Sequence, residues 1–313
     1  MGGKSGIVIE FSLRLTPCSV EGFWALVITV LALAGLGIVE MLRHRRALDK
    51  IRIRVHVNGT RGKSSVTRLI AAGLRAHGVR TVAKTTGTLA RLILPNGREL
   101  PVYRPAKPNI IEQLAIVRAA SDQKAEALVI ECMALQPQLQ SLSERKMIRA
   151  THGVLTNARP DHLDVMGPSD DDVALALAGS VPKDAKMFTA EVRRLSAIQA
   201  AAEDRNSELI AVGPEDVKNV SDDVMSGFSY LEHKENVALA LKVLKSLDIP
   251  EEVATAGMHA ADLTPGLWWP SNLNFLAASS RSSMRLPPMI PNRPREFLRN
   301  PKLSLGKTEI SSW

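Results

Sequence analysis

The stretch Asn58-Gly59-Thr60-Arg61-Gly62-Lys63-Ser64-Ser65 constrains this 313-residue chain more than any other. Ahead of it, Ile51 to Val57 alternate apolar with polar residues, the pattern of a strand. Behind it, Val66, Leu69, Ile70, Gly73 and Leu74 recur at helical spacing as far as His77, and Gly78 closes the helix. A tight glycine loop between a strand and a helix N-terminus turns backbone N–H groups inward around phosphate oxygens. A lysine there meets the β/γ charge, and a hydroxyl serves Mg²⁺. Gly59, Thr60, Arg61, Gly62, Lys63, Ser64 and Ser65 are thus the expected nucleotide loop, in a shortened form because Val57 stands where the full pattern has glycine. Gly3-Lys4-Ser5 carries the same triplet with no strand before it, and so does not qualify.

The same alternation continues down the chain. Short β-like runs at 80–84, 126–131, 152–156, 186–190 and 208–212 are separated by helical patterns near 110–121, 170–180, 191–204 and 235–247. Strand and helix in turn predict an α/β fold: a P-loop-type, mostly parallel sheet flanked by helices, with ligands at the carboxyl ends of the strands. Glu131 ends the apolar run Ala127 to Ile130, where a carboxylate can reach a metal or cap a neighbouring loop. His162, between Asp161 and Leu163-Asp164, reads on its own as a turn residue, and Asn236 as a polar residue in the first turn of a helix.

Before the sheet, Gly22 to Val39 form an uncharged run of 18 residues, followed at once by Arg43, His44, Arg45 and Arg46. That length is close to the minimum that crosses a bilayer core, and the basic cluster lies after the run, where a cleaved signal peptide has it before. The expected organisation is an N-terminal segment 1–50 with an uncleaved anchor at about 22–42, and a nucleotide-binding domain over 51–266. The positive-inside rule puts that domain in the cytoplasm of a single-pass membrane protein. The net charge of +8 agrees: residues 43–54 and 267–313 each carry +5, leaving −2 elsewhere. The positive charge is therefore confined to a basic collar after the apolar run and to the tail, the rest being nearly neutral, and with no aromatic-interleaved basic stretch a nucleic-acid partner is not expected. Cys18 and Cys132 exclude a disulfide framework and a CxxC zinc site. Cys132 is read as a small buried residue.

Four separated stretches resemble the Mur ligase superfamily, and within it the ligase subunit of bacterial poly-γ-glutamate synthases, the CapB/PgsB type. They are Val57 to Ser64, Lys84-Thr85-Thr86-Gly87-Thr88, Ile130-Glu131-Cys132-Met133-Ala134, and Asp161-His162-Leu163-Asp164-Val165-Met166-Gly167-Pro168. The resemblance runs from about residue 22 to 266. It implies a Mur ligase central domain, ATP and Mg²⁺ as cofactors, and an amide ligase that adds glutamate to poly-γ-glutamate through an acyl phosphate. It further implies Lys63, Thr86 and His162 as catalytic residues, Ser64, Glu131 and His162 as metal ligands, and Thr85, Thr86 and Thr88 near the reacting carboxylate. By the same resemblance Asn236 lies near the adenine, and small membrane subunits of a polymer synthase and export complex are partners. No lysine in Val173–Pro182 matches the carbamylated lysine of several Mur ligases. A soluble folylpolyglutamate-type or cell-wall ligase, and a non-catalytic membrane component, are the competing readings.

After Gly266 the pattern departs from the family. Thr264-Pro265-Gly266 leads into Leu267-Trp268-Trp269-Pro270, with no arginine until Arg281, and 267–313 holds six prolines and three of the four tryptophans without a sustained period. The expectation for this irregular tail is a natural truncation or out-of-frame translation that removes a further domain, against a genuinely divergent end.

Overall fold

A computed structural model describes residues 20–87, 89–104 and 108–261. Cys18, Thr88 and the tail from 267 lie outside the described residues. The elements in chain order are helix α1 (Val20–Asp49), strand β1 (Ile53–Asn58), α2 (Lys63–Ala76), β2 (Thr81–Thr85), β3 (Arg91–Ile93), β4 (Glu99–Pro101), α3 (Glu112–Asp122) and β5 (Ala127–Glu131). There follow α4 (Pro137–Leu142), which runs into a π-helical turn over Ser143–Ile148, β6 (His152–Leu155), α5 (Leu163–Met166), α6 (Asp170–Ala178), β7 (Lys186–Thr189) and α7 (Leu195–Asp204). The last are β8 (Glu208–Ala211), α8 (Pro214–Lys218), α9 (Asp222–Ser226), α10 (Lys234–Lys245) and α11 (Glu251–His259).

The strands form one eight-stranded sheet in the order β4-β3-β2-β5-β1-β6-β7-β8. From β2 to β8 neighbouring strands are parallel, as the alternating pattern predicts. The edge hairpin β3–β4 is antiparallel and has no counterpart in the sequence reading. The chain leaves β1 toward β2 on one side and leaves β6 toward β7 on the other. Connections that diverge in this way open a crevice at the carboxyl ends of β1 and β6.

Both faces of the sheet are covered. Val55, Val57, Val129 and Val154 pack under α2, α10 and α11. On the opposite face Leu128 and Ile130 meet α3 and the end of α1, while Leu155 and Met187 meet α6 and α7. Strands buried on two sides need no solvent-facing residues, so polar side chains on them require internal partners.

Helix α1 begins as an apolar rod and ends inside the domain. By length and composition it can cross a bilayer, and none of its most apolar 18-residue window is buried. Arg43, Arg45 and Arg46 are exposed, whereas Ala47 and Leu48 join the core and His44 Nε2 pairs with the Met147 carbonyl at 2.8 Å. Arg54 then closes the exit of the helix through the carbonyls of Leu48, Ile51 and Arg149.

Candidate active site

The glycine loop holds its shape by contacts to the segment after β6. Thr60 Oγ1 donates to Asn157 Oδ1 at 2.7 Å, and the same oxygen accepts from the Arg61 N–H at 3.1 Å. Asn157 Nδ2 and Thr156 Oγ1 donate back to the Arg61 carbonyl, and the Arg159 N–H donates to Thr60 Oγ1. Gly59 has φ +131°, and a Cβ there would stand 2.1 Å from Thr156 Oγ1. Gly62 has φ +82°, with Asn236 Oδ1 where a Cβ would need to go. Both positions combine left-handed backbone with a close neighbour, which glycine alone tolerates.

Lys63 opens α2 and folds over the loop, donating to the carbonyls of Gly59 and Thr60 at 2.5 and 3.2 Å. Ser64 Oγ donates to Glu131 Oε2 at 2.8 Å, and the same carboxylate oxygen accepts from the Thr86 N–H, also at 2.8 Å. Glu131 thus ties together the first turn of α2, the end of β5 and the threonine loop after β2. It is 3% exposed and has no cationic side chain at ion-pair distance among the described residues. A buried carboxylate held by only two neutral donors, one of them a hydroxyl, is a hard oxygen site that suits a divalent cation such as Mg²⁺. The residues fit that ion.

His162 caps α5 in the left-handed conformation, with φ +47°, and its Nε2 lies 3.8 Å from Asp161 Oδ1. Gly59, Thr60, Lys63, Thr86, Glu131 and His162 line one cavity of about 380 Å³. Arg61, Gly62, Ser64, Ser65 and Asn236 do not line it; Asn236 is buried against Gly62 and donates to Glu232. No group of three His, Cys, Asp or Glu side chains gathers at one metal-sized point among the described residues. Thr85, whose side chain is buried, ends β2, and Thr88 lies outside the described residues.

Two charge clusters, each built on a buried basic side chain, have no place in the sequence reading, and Arg104 of the first lines the cavity. Lys84, fully buried on β2, pairs with Glu112 Oε1 at 2.7 Å, and Arg104 takes the other Glu112 oxygen at 2.6 Å. Burial pushes the Lys84 ammonium down and Glu112 pulls it back; burial works against the Glu112 carboxylate, yet Arg104 and Lys84 hold it below its usual range. On the other side of β5, His56 Nδ1 meets Glu144 Oε2 at 2.6 Å, both side chains being buried. Burial opposes a charge on His56, but the Cys132 sulfur and the Glu144 carboxylate outweigh it and raise the imidazole to about 10.

The Mur ligase middle domain matches residues 57–262. The chain is 42% identical over 232 residues to the capsule biosynthesis protein CapB of Bacillus anthracis, a match over 74% of this chain and 49% of the relative. It is 33% identical over 293 residues to the PGA synthase CapB of Bacillus subtilis (strain 168), over 93% of this chain and 70% of the relative. The chain belongs to the CapB-type Mur ligases. As a Mur ligase it spans about half the length of the Bacillus anthracis protein. In fold it is similar to a bifunctional folylpolyglutamate synthase/dihydrofolate synthase whose crystal structure has Mn, AMPPNP and L-glutamate bound. The TM-score is 0.52 at 15% identity, with 72% of this chain and 61% of that one covered. The Mur ligase match contains the loop, Glu131, His162 and Asn236, and leaves out α1 and β1 up to His56.

Proposed function

We propose that this chain is a membrane-anchored, ATP-dependent amide ligase that extends poly-γ-glutamate in capsule formation. The observation that carries the reading is the junction of Ser64, Thr86 and Glu131 beside the Lys63 loop, in a chain of the CapB type. The nucleotide phosphates take the loop N–H groups and the N-terminus of α2, and Lys63 exchanges its two loop carbonyls for phosphate oxygens. Ser64 and Glu131 hold Mg²⁺, which when bound supplies charge neutralisation at the transferring phosphoryl group. His162, which lines the same cavity, would serve a second metal, and Asn236, set against Gly62, would lie near the adenine.

In the reaction a carboxylate oxygen of glutamate, or of the growing chain, bonds to the γ-phosphorus and ADP leaves. The amine of a further glutamate attacks the acyl carbon, the bond from carbon to phosphate oxygen breaks, and phosphate and the amine proton depart. The side chains form no covalent bond in this sequence, so alignment and electrostatics by Lys63 and the Thr86 loop carry the rate. The partners under this reading are glutamate, its polymer and small membrane subunits for export, with α1 as the single span and the domain from 51 to 266 on the cytoplasmic side.

Incorporation of labelled glutamate into polymer by membranes that contain the full chain tests the reading. ATP-dependent incorporation that disappears in Lys63→Ala supports it; undiminished incorporation in that variant overturns it.

A further inference from the structure

Helix α2 carries more than the phosphate loop. Ser64, Arg68 and Arg75 are spaced by four and seven residues, which places them along one face of the helix over about 16 Å. At the far end Arg68 and Arg75 border a second cleft, of about 530 Å³, walled also by Arg98 and Glu99 of the β3–β4 hairpin and by Gly257 and Ala261.

The charges in this cleft are unbalanced. Arg68 is tied to Glu99 by a two-pronged ion pair. Arg75 and Arg98 have no carboxylate at ion-pair distance among the described residues, and the same holds for Arg91 beside Arg68. Arg75 Nη1 is buried and makes no hydrogen bond. Burial first, and Arg68 second, push the Arg75 guanidinium down to about 10, the mark of a cation that the fold leaves uncompensated. A buried guanidinium nitrogen without an acceptor is unfavourable, and planar N–H forks match carboxylates in particular.

We propose that the cleft between α2, the β3–β4 turn and α11 binds carboxylates of the growing polymer, Arg75 and Arg98 gripping side groups of a chain whose reacting end lies near Ser64. The proposal rests on the ligase reading for the identity of the polyanion. Arg75 and Arg98 then offer two grips to a substrate that bears one carboxylate per unit. A single small anion would need only one of them.

The test uses the full chain in detergent, a fluorescent γ-linked glutamate oligomer of about ten units, and MgAMPPNP as a separate probe. Arg75→Gln is expected to weaken oligomer binding about tenfold and Arg98→Gln about threefold, with MgAMPPNP affinity unchanged in both. Arg98 is exposed, so its variant folds, and Arg75→Gln should melt no lower than the parent because it removes an unpaired buried charge. Wild-type binding should fall with salt more steeply than that of Arg75→Gln. Equal oligomer affinity in the parent and both variants, no oligomer binding by the parent, or equal binding of a γ-linked glutamine oligomer would each overturn the proposal. Failure of the parent to bind MgAMPPNP would sink the ligase reading instead, and the oligomer result would still decide the cleft.

Discussion

Ser64 Oγ and Glu131 Oε2 stand 2.8 Å apart, so the start of α2 and the end of β5 meet at one hydrogen bond. Both oxygens are ligands that Mg²⁺ accepts, and the Thr86 N–H holds the carboxylate in place for it. Glu131→Gln keeps the shape and both neutral contacts but removes the charge. We expect the variant to fold, with nucleotide turnover about 100-fold lower at limiting Mg²⁺ and partial recovery at high Mg²⁺. A Mg²⁺ titration of ATP turnover identical to the parent's would remove Glu131 from the metal site.

Asn157 is the residue that latches the loop. Its side chain makes three contacts, to Thr60 Oγ1, the Arg61 N–H and the Arg61 carbonyl, at 2.7, 3.1 and 3.1 Å. At about 1 kcal/mol net for each, part of which water restores, Asn157→Ala should weaken MgATP binding about tenfold. Calorimetric titration with a non-hydrolysable analogue measures this, and an unchanged Kd would show that the loop is shaped without Asn157.

His56 gives stability a defined pH dependence. Its imidazole is raised from 6.5 to about 10 by Cys132 and Glu144 against burial, so the charged form is the one the fold favours. The contribution is complete below pH 6.5, fades as pH rises toward about 10, and is lost above that. His56→Gln leaves Glu144 buried without its cation and should cost about 3–5 kcal/mol near neutral pH. Denaturation midpoints should fall across this range in the parent and much less in the variant; parallel curves would show that His56 is neutral in the fold.

Lys84 and Arg104 share Glu112, and Lys84 is the one without access to water. Lys84→Met removes a buried cation while Arg104 still holds the carboxylate. The expected loss is therefore smaller than for a fully broken pair, about 1–3 kcal/mol, and Arg104→Met in the same background should add more than its effect alone. A double-mutant cycle with additive losses would refute the shared pair.

The parts of the fold that could be read in advance were those with local periodicity. The strand, loop and helix around Lys63, the later strand and helix alternation, and Glu131 at a strand end all depend on neighbours in sequence. The hairpin β3–β4 did not announce itself, because strands of three residues have no period to detect. His56 occupies the polar place in an alternation that ordinarily marks a wet face, yet α3 and the π-helical turn cover that side. Its partner Glu144 lies 88 residues away. Lys84 stood in a recognisable motif with no role, since Glu112 is brought to it only by the packing of α3. Asn236 reads as an ordinary first-turn residue, and its contact with Gly62 depends on α10 lying beside α2.

Helix α1 passes from its apolar stretch into the core with no hinge, and His44, Ala47 and Leu48 lock its last turns to the domain. Were the apolar stretch seated in a bilayer, the domain would ride on a stiff mast in place of a loose tether. The height of the cavity above the lipid would then be a fixed dimension of the molecule, set by the four residues from Glu40 to Arg43, ahead of the first locked residue, at about 1.5 Å each. Inserting one residue in that span would rotate the cavity by about 100° about the mast, while inserting a full heptad would lift it and nearly restore its bearing.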